Sequence, residues 1–381
     1  MAYYTGTAID HADLFLKLRG HATTNGWTCS LDTGYNIFEK ENLKISLQEN
    51  TASTGYIRTA CKFETLGTLL TGSIDPTASV NVVGSGTLFL SEVTVGDFIF
   101  VSGESRKVDT ITDNTHLTVE VAFTDVANDV APKNHGIHNL GILAETSSVN
   151  LYLRYDDPIL QYHAFINLDA EVPCIHCAFE ILPSIWRHIS FGVMEKIGET
   201  VGGAFLFGEY VYNMADWDST NTGGIGFGVF SAAQSDEDGV FTWTDADGDL
   251  VRATFQHENS IGTLYLAAPR TTRPATTTGY ALTKQQDGNN SYIMMNNQPN
   301  QSTGETVLVP VQCHGCAPSE RWTGLGLLSR VALVSMKGIA PALTVTIGGD
   351  DWMLFPKRAK GKIIDTGLTE ESNLFGYAYK K

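Results

Sequence analysis

Two Cys-x-x-Cys pairs carry the sharpest chemistry in this sequence: Cys174-Ile175-His176-Cys177 and Cys313-His314-Gly315-Cys316. A thiolate pair at that spacing clasps one tetrahedral ion when a tight turn brings both sulfurs to the same side. Two such pairs would complete a four-cysteine site holding one structural zinc, and a [4Fe–4S] cluster uses the same ligand set. A closed four-thiolate shell has no open coordination position, so its role would be to staple two strand ends that residues 178–312 separate. The alternatives are ordinary buried cysteines or a local disulfide within each pair. On a continuous strand, positions three apart face opposite sides, so a shared ion requires a turn or a bulge. Pro173 and Gly315 favour a turn, and His176 and His314 stand by as supporting or substitute ligands. Redox chemistry is disfavoured because neither pair opens a helix after a strand. Cys29 and Cys61 stand alone and read as core residues.

Other constellations are weaker. Asp245-Ala246-Asp247-Gly248-Asp249 has the look of a calcium loop but lacks the glycine at the sixth position and the glutamate at the twelfth, so it reads as a hairpin turn. The glycine run from Gly223 to Gly228 has no following helix to complete a phosphate-binding loop. No Ser-His-Asp set and no carboxylate pair can be nominated, so no catalytic or cofactor-binding residue is assigned and the chain reads as a non-enzyme.

The elements that must position these residues are mostly strands. Glycine is abundant at 37 of 381 residues, which suits many short strands joined by tight turns. With 43% hydrophobic and 18% charged residues the chain is expected to pack a sizeable core. A net charge of −17 argues against nucleic acid as a partner, since a phosphate backbone requires clustered Lys and Arg. Neither a signal peptide nor an apolar run of about 20 residues is present, so no membrane partner is expected, and the compartment of synthesis is expected to be cytoplasm-like.

Asp10 reads as the N-cap of a short helix with Asp13 in its first turn, Leu14, Phe15 and Leu18 on one apolar face, and Gly20 near its stop. Residues 42–48 alternate apolar and polar as a half-buried strand does, and strands are also expected over 54–63, 148–155 and 162–168. The stretch from Pro173 to Tyr210, which contains the first cysteine pair, is expected to form two long antiparallel strands turning around Lys196 to Val201. Residues 268–306 are poor in aliphatics and rich in Thr, Asn, Gln and Pro, a long loop suited to reaching a neighbouring subunit. The last residues, Asn373 to Lys381, are so aromatic that the tail is expected to be docked.

Between 73 and 128 the texture changes to four or five short strands with turns at Gly96-Asp97 and Asp113-Asn114. This stretch is expected to fold by itself as an inserted small β-barrel or sandwich module, within a discontinuous body of residues 1–72 and 129–381. Its run from Gly84-Ser85-Gly86-Thr87 through Gly96-Asp97 and Gly103-Glu104 to Leu117-Thr118-Val119 resembles a β-module recurring in tailed-bacteriophage tail and fibre proteins, where it is a spacer or docking module. Three further stretches resemble a family of tailed-bacteriophage virion proteins: Tyr4 to Trp27, Trp186 to Gly203, and Trp352 to Pro356 with Gly376 to Tyr379. The cysteine pairs are no part of that pattern.

The resulting expectation is a mainly β protein, with a sandwich- or barrel-like body, a short N-terminal helix and the inserted module. The resemblance implies a structural component of a virion, assembled in the host cytoplasm, in the tail, baseplate or neck. It would work as a homo-oligomeric ring against copies of itself and other virion proteins. The alternative is a host-surface or saccharide-binding module at the tail tip, for which loop aromatics such as Trp217 would serve.

Overall fold

The computed structural model describes residues 1–50, 56–65, 67–102, 104–124, 131–140, 148–154, 158–198, 202–208, 239–244, 250–255, 270–271, 306–316, 322–336, 338–356 and 375–381. The fold is mainly β, with several antiparallel sheets and two helices among these residues. An opening strand β1 (Ala2–Ala8) leads into helix α1 (His11–Thr24), then β2 (Thr28–Asp32), β3 (Tyr35–Lys40), β4 (Leu43–Asn50) and β5 (Tyr56–Thr65). Shorter elements follow: β6 (Thr68–Leu69), β7 (Ser73–Asp75), β8 (Asn81–Ser85), the one-turn α2 (Phe89–Glu92), β9 (Phe98–Val101), β10 (Glu104–Ile111), β11 (His116–Val119) and β12 (Lys133–Asn134). The middle of the chain forms β13 (Ser148–Arg154), β14 (Ile159–Ile166), β15 (Cys174–Leu182), β16 (Ile185–Val193), β17 (Glu195–Lys196), β18 (Gly202–Gly208), β19 (Gly239–Thr244), β20 (Leu250–Phe255) and β21 (Arg270–Thr271). The last strands are β22 (Val309–Cys316), β23 (Trp322–Ser335), β24 (Leu343–Ile347), β25 (Asp350–Pro356) and β26 (Phe375–Lys380).

The body is layered around an eight-stranded sheet of order β1-β14-β15-β16-β18-β19-β20-β21. One of its faces packs on α1 and on the β13-β5-β4-β3-β2 sheet, where Phe191 lies 5.0 Å from Phe38 and 6.2 Å from Trp27. The other face packs on the β17-β23-β26-β25-β24 sheet, where Trp186 lies 4.8 Å from Phe355 and Phe165 lies 5.3 Å from Tyr379. A sheet covered on both faces has no polar side, so its strands lose the alternation that announces a strand. That is why Cys174 to Leu182 lies in a strand with residues on both faces buried, although nothing in its pattern alternates.

The expected pair of long strands is divided further. Four strands are present among the described residues, β15, β16, the two-residue β17 and β18; β16 and β18 pair antiparallel across the expected reversal, and an additional tight turn falls at Pro183-Ser184, with Ser184 at φ 65°.

Helix α1 begins where its cap indicates, with the Asp10 carboxylate accepting from Asp13 N at 2.9 Å. Leu14, Phe15, Leu18 and Ala22 are buried against the sheets. It does not stop at Gly20. It ends one turn later in a Schellman motif, with Gly26 at φ 79°, Trp27 N bonded to Ala22 O and Gly26 N bonded to Thr23 O. Burial of Ala22 and Trp27 outweighs the cost of about 1 kcal/mol for a helical glycine. A Cβ at Gly20 would meet nothing within 4 Å. Gly20→Ala is therefore expected to stabilise the protein by about 0.5–1 kcal/mol, read as a higher urea midpoint at unchanged slope.

The segment read as an inserted module has its own sheet, β6-β12-β9-β10-β11-β8-β7, and its own core of Leu70, Ile74, Val82, Phe89, Ile99, Val108, Leu117 and Phe123 among others. Its sheet reaches beyond 73–128, because β6 and β12 pair with each other and close it at Thr68 and Asn134. Within it, residues Phe89–Glu92 form the single helical turn α2. Leu90 N bonds to Asn114 Oδ1 at 3.1 Å, Thr87 Oγ1 donates to Asn114 O at 2.5 Å, and α2 buries Phe89. Residues 135–140 then tie the module to the body. Asn42 Nδ2 donates to His138 O at 2.8 Å, and Lys196 Nζ donates to Asn139 O at 3.0 Å.

Of the long polar stretch 268–306, Arg270–Thr271 forms a two-residue strand against β20. The rest of that stretch, 268–269 and 272–305, lies outside the described residues, as do Trp217, the glycine run 223–228 and the acidic turn 245–249.

Candidate functional site: the cysteine pairs and the buried histidine layer

Cys174 and Cys177 are both fully buried in β15, which pairs with β14 and β16 without a register shift between them. On this regular strand their thiols point to opposite faces. The Cys174 thiol points toward the β23 layer, 3.8 Å from Ser329 O. Cys177 shares its face with Ile175 and Phe179, toward α1. The turn that Pro173 suggested is absent, so a two-thiol clasp does not fit the first pair: it can supply at most one sulfur to any one ion. Cys313 and Cys316 lie in β22, and a register shift falls between Cys313 and His314, so this pair has the irregularity the first one lacks. The side chains of Cys313 and Cys316 lie outside the described residues. Among the described residues no group of three or more His, Cys, Asp or Glu is arranged to hold a metal ion.

The described chemistry sits instead between the central sheet and the β23–β26 layer, where His176 of the first cysteine pair is joined by His163 and His188, which the sequence did not single out as ligands. Strand register places His163, His176 and His188 on this one face. His163 bonds within its own sheet, to Tyr3 on the neighbouring β1, while His176 and His188 reach across to the other layer. Tyr3 OH bonds His163 Nδ1 at 2.7 Å, His176 Nε2 bonds Ser329 O at 2.8 Å, and His188 bridges Tyr379 OH at 2.9 Å and Pro356 O at 3.0 Å. A carbonyl only accepts, so His188 carries its proton on Nε2 and its Nδ1 accepts from the Tyr379 hydroxyl. His176 likewise carries its proton on Nε2. The rings interleave with Phe355, Tyr377 and Tyr379, with His176 stacked on Tyr379 at 5.3 Å.

This layer is built to stay neutral. Burial pushes His163 and His176 down to about 4. The Cys174 thiol is pushed up to about 12, chiefly by burial. Cys174 Sγ lies 3.4 Å from His176 Nε2, the spacing of a nucleophile and its base. The proton on that nitrogen is already donated to Ser329 O, so it cannot take the thiol proton, and both groups are shielded from solvent. The arrangement joins sheets and does not activate a nucleophile.

Beside it β23 breaks its regularity. Arg330 sits at φ 62°, where the strand passes from pairing with β17 to pairing with β26. Ser329 Oγ donates to Glu195 Oε1 at 2.9 Å, anchoring that bend to β17.

Tyr379→Phe tests the layer directly. It keeps the stacked ring and leaves His188 Nδ1 without its donor hydroxyl, at an expected cost of about 1–3 kcal/mol in denaturant unfolding. An unchanged midpoint would show that the hydrogen bond contributes nothing.

Histidines inside apolar runs, with no carboxylate nearby in sequence, are the signal that could have flagged this layer. Their partners lie as far off as Tyr379, 191 positions from His188. Compared with known proteins, the chain matches no protein-family model and no curated protein sequence.

Proposed function

We propose that this chain is a structural protein of a tailed-phage particle, in the tail, baseplate or neck, acting through contacts with its own copies and other virion proteins and without catalysis. The observation that carries the reading is how the phage-like cadence of the module is used. Gly84 makes room for Thr87, whose Oγ1 would lie 2.2 Å from an added Cβ. Gly86 and Gly96 hold turns at φ 68° and 95°. Phe89, Val93, Ile99 and Val101 fill the module core. Asp97 Oδ2 accepts from Thr94 N and Asn134 Nδ2, and Glu104 pairs with Arg106 and Thr124. Each of these positions builds a turn or a core, as suits a spacer or docking domain.

The buried histidine layer supports the same reading, because His176 and His188 spend their hydrogen bonds on joining sheets. No described helix is long and apolar enough to cross a membrane. The test is peptide mass spectrometry of purified tailed particles from the source of this sequence. Stoichiometric presence of the chain is expected, and its absence from intact particles overturns the reading.

A further inference from the structure

We infer that β24 is a self-association edge, at which two copies of this chain join their β24 strands antiparallel across a two-fold axis through Val345. This goes beyond the particle reading and does not depend on it. An open sheet edge offers a row of unpaired N–H and C=O groups, and proteins ordinarily blunt such edges with charge, proline, bulges or shortness. Most of the described end strands of this protein carry one of those devices. β1 has a register shift between Gly6 and Ala8, β2 ends in Asp32, β7 in Asp75 and β13 in Arg154. β22 contains Pro310, and β6, β17 and β21 are two residues long.

β24 carries none of these. It reads Leu343-Thr344-Val345-Thr346-Ile347, pairs with β25 in unbroken register, and has no strand on its other edge among the described residues. Its side chains are exposed or half-buried, with Leu343 at 45%.

What it would meet follows from its own pattern. A five-residue strand paired antiparallel with itself sets Val345 against Val345 of the second copy, Leu343 against Ile347 and Thr344 against Thr346. Apolar then meets apolar, hydroxyl meets hydroxyl, and no like charges oppose. That absence of charge matters in a chain of net charge −17, whose overall field opposes the approach of a second copy.

The apolar face also has a partner to continue. Register places Leu343 and Val345 beside Leu354 and Trp352, on the outer face where Ala332, Val334, Met336, Leu354 and Ala378 form a small separate core. Val345 and Trp352 are its half-exposed margin. Two-fold pairing would run this small core through the axis into its copy, as an isologous contact does.

The experiment is sedimentation of the full chain over a concentration series. The wild type is expected to associate, and Val345→Lys, which opposes two lysines at the axis, to weaken that association by at least about tenfold. Val345 is half-buried at the sheet edge, where a lysine stem can lie on the surface with its ammonium in water, so the variant should keep the wild-type circular dichroism spectrum. Leu343→Lys and Ile347→Glu, each weakened alone, are expected to regain association when mixed, because the antiparallel register then sets lysine against glutamate. A wild type that stays monomeric, or association untouched by Val345→Lys, overturns the inference. Failure of the mixture to recover overturns the register. The particle assay reads a separate question, since a chain absent from virions could still pair through β24.

Discussion

Gly192→Ala is expected to abolish the folded protein. Gly192 lies in β16 at φ 151°, and a Cβ there would sit 2.3 Å from Pro173 O and 2.5 Å from Cys174 Cα. Both obstacles are backbone atoms at the start of the neighbouring strand, which cannot retreat: β15 is hydrogen-bonded on both edges and packed on both faces. An L-residue at this φ is strained whatever the space. Overlap and strain together place the cost above about 4 kcal/mol, a large part of the roughly 5–15 kcal/mol by which a domain is stable. Gly376→Ala makes the same test in the other layer, since its Cβ would lie 2.1 Å from Phe355 O and 2.6 Å from Met336 Cγ. Soluble yield and urea unfolding are the readouts. A Gly192→Ala chain with wild-type stability would mean that β15 and β16 are not paired in this register, whereas Gly20→Ala should be gained without cost.

Acid is expected to unfold the protein well above the range in which carboxylates usually decide the matter. Burial holds His135, His138, His163 and His176 at about 4, against 6.5 for an unperturbed imidazole. The sign follows from which state binds the proton. Between pH 6.5 and 4 the unfolded chain takes up protons that the folded one refuses, so stability is full above 6.5, falls through that window, and is lost once pH passes below 4. Each group contributes on the order of 2–3 kcal/mol, and the four together rival the stability of a typical domain. Asp113, held near 2 chiefly by its bond from Thr115 N, contributes only below this window.

The urea midpoint should therefore drop steeply from pH 7 to pH 4.5, and a flat profile would sink the idea. His135→Phe is the informative variant. That ring stacks on Phe100 at 5.3 Å, and neither of its nitrogens has a hydrogen-bond partner among the described residues, so phenylalanine should keep the packing and flatten the acid profile.

What was legible in the sequence is what local chemistry decides. Asp10 and Asp13 mark the start of α1 because a cap needs only its own first turn. β4 shows its alternation because it belongs to an outer sheet. The module announces itself because Gly84, Gly86 and Gly96 each answer a local need, although its closing strands at Thr68 and Lys133 could not be seen without their pairing. The docked tail was foreseen from its aromatics, and Tyr377 and Tyr379 are indeed buried.

The spacing of the first cysteine pair suggested a clasp. Only the tertiary structure shows that Cys174 and Cys177 lie in one regular strand of a sheet covered on both sides, with their thiols on opposite faces. The histidine layer was equally out of reach. Its residue types were in plain view, but the partners of His163, His176 and His188 lie more than 150 positions away. Composition, turn chemistry and capping are properties of neighbours along the chain, so the sequence by itself determined a mainly β protein with a capped helix. Which thiol faces which layer, and which histidine reaches which carbonyl, depends on strand register and on how the layers stack, and those exist only once distant strands have paired.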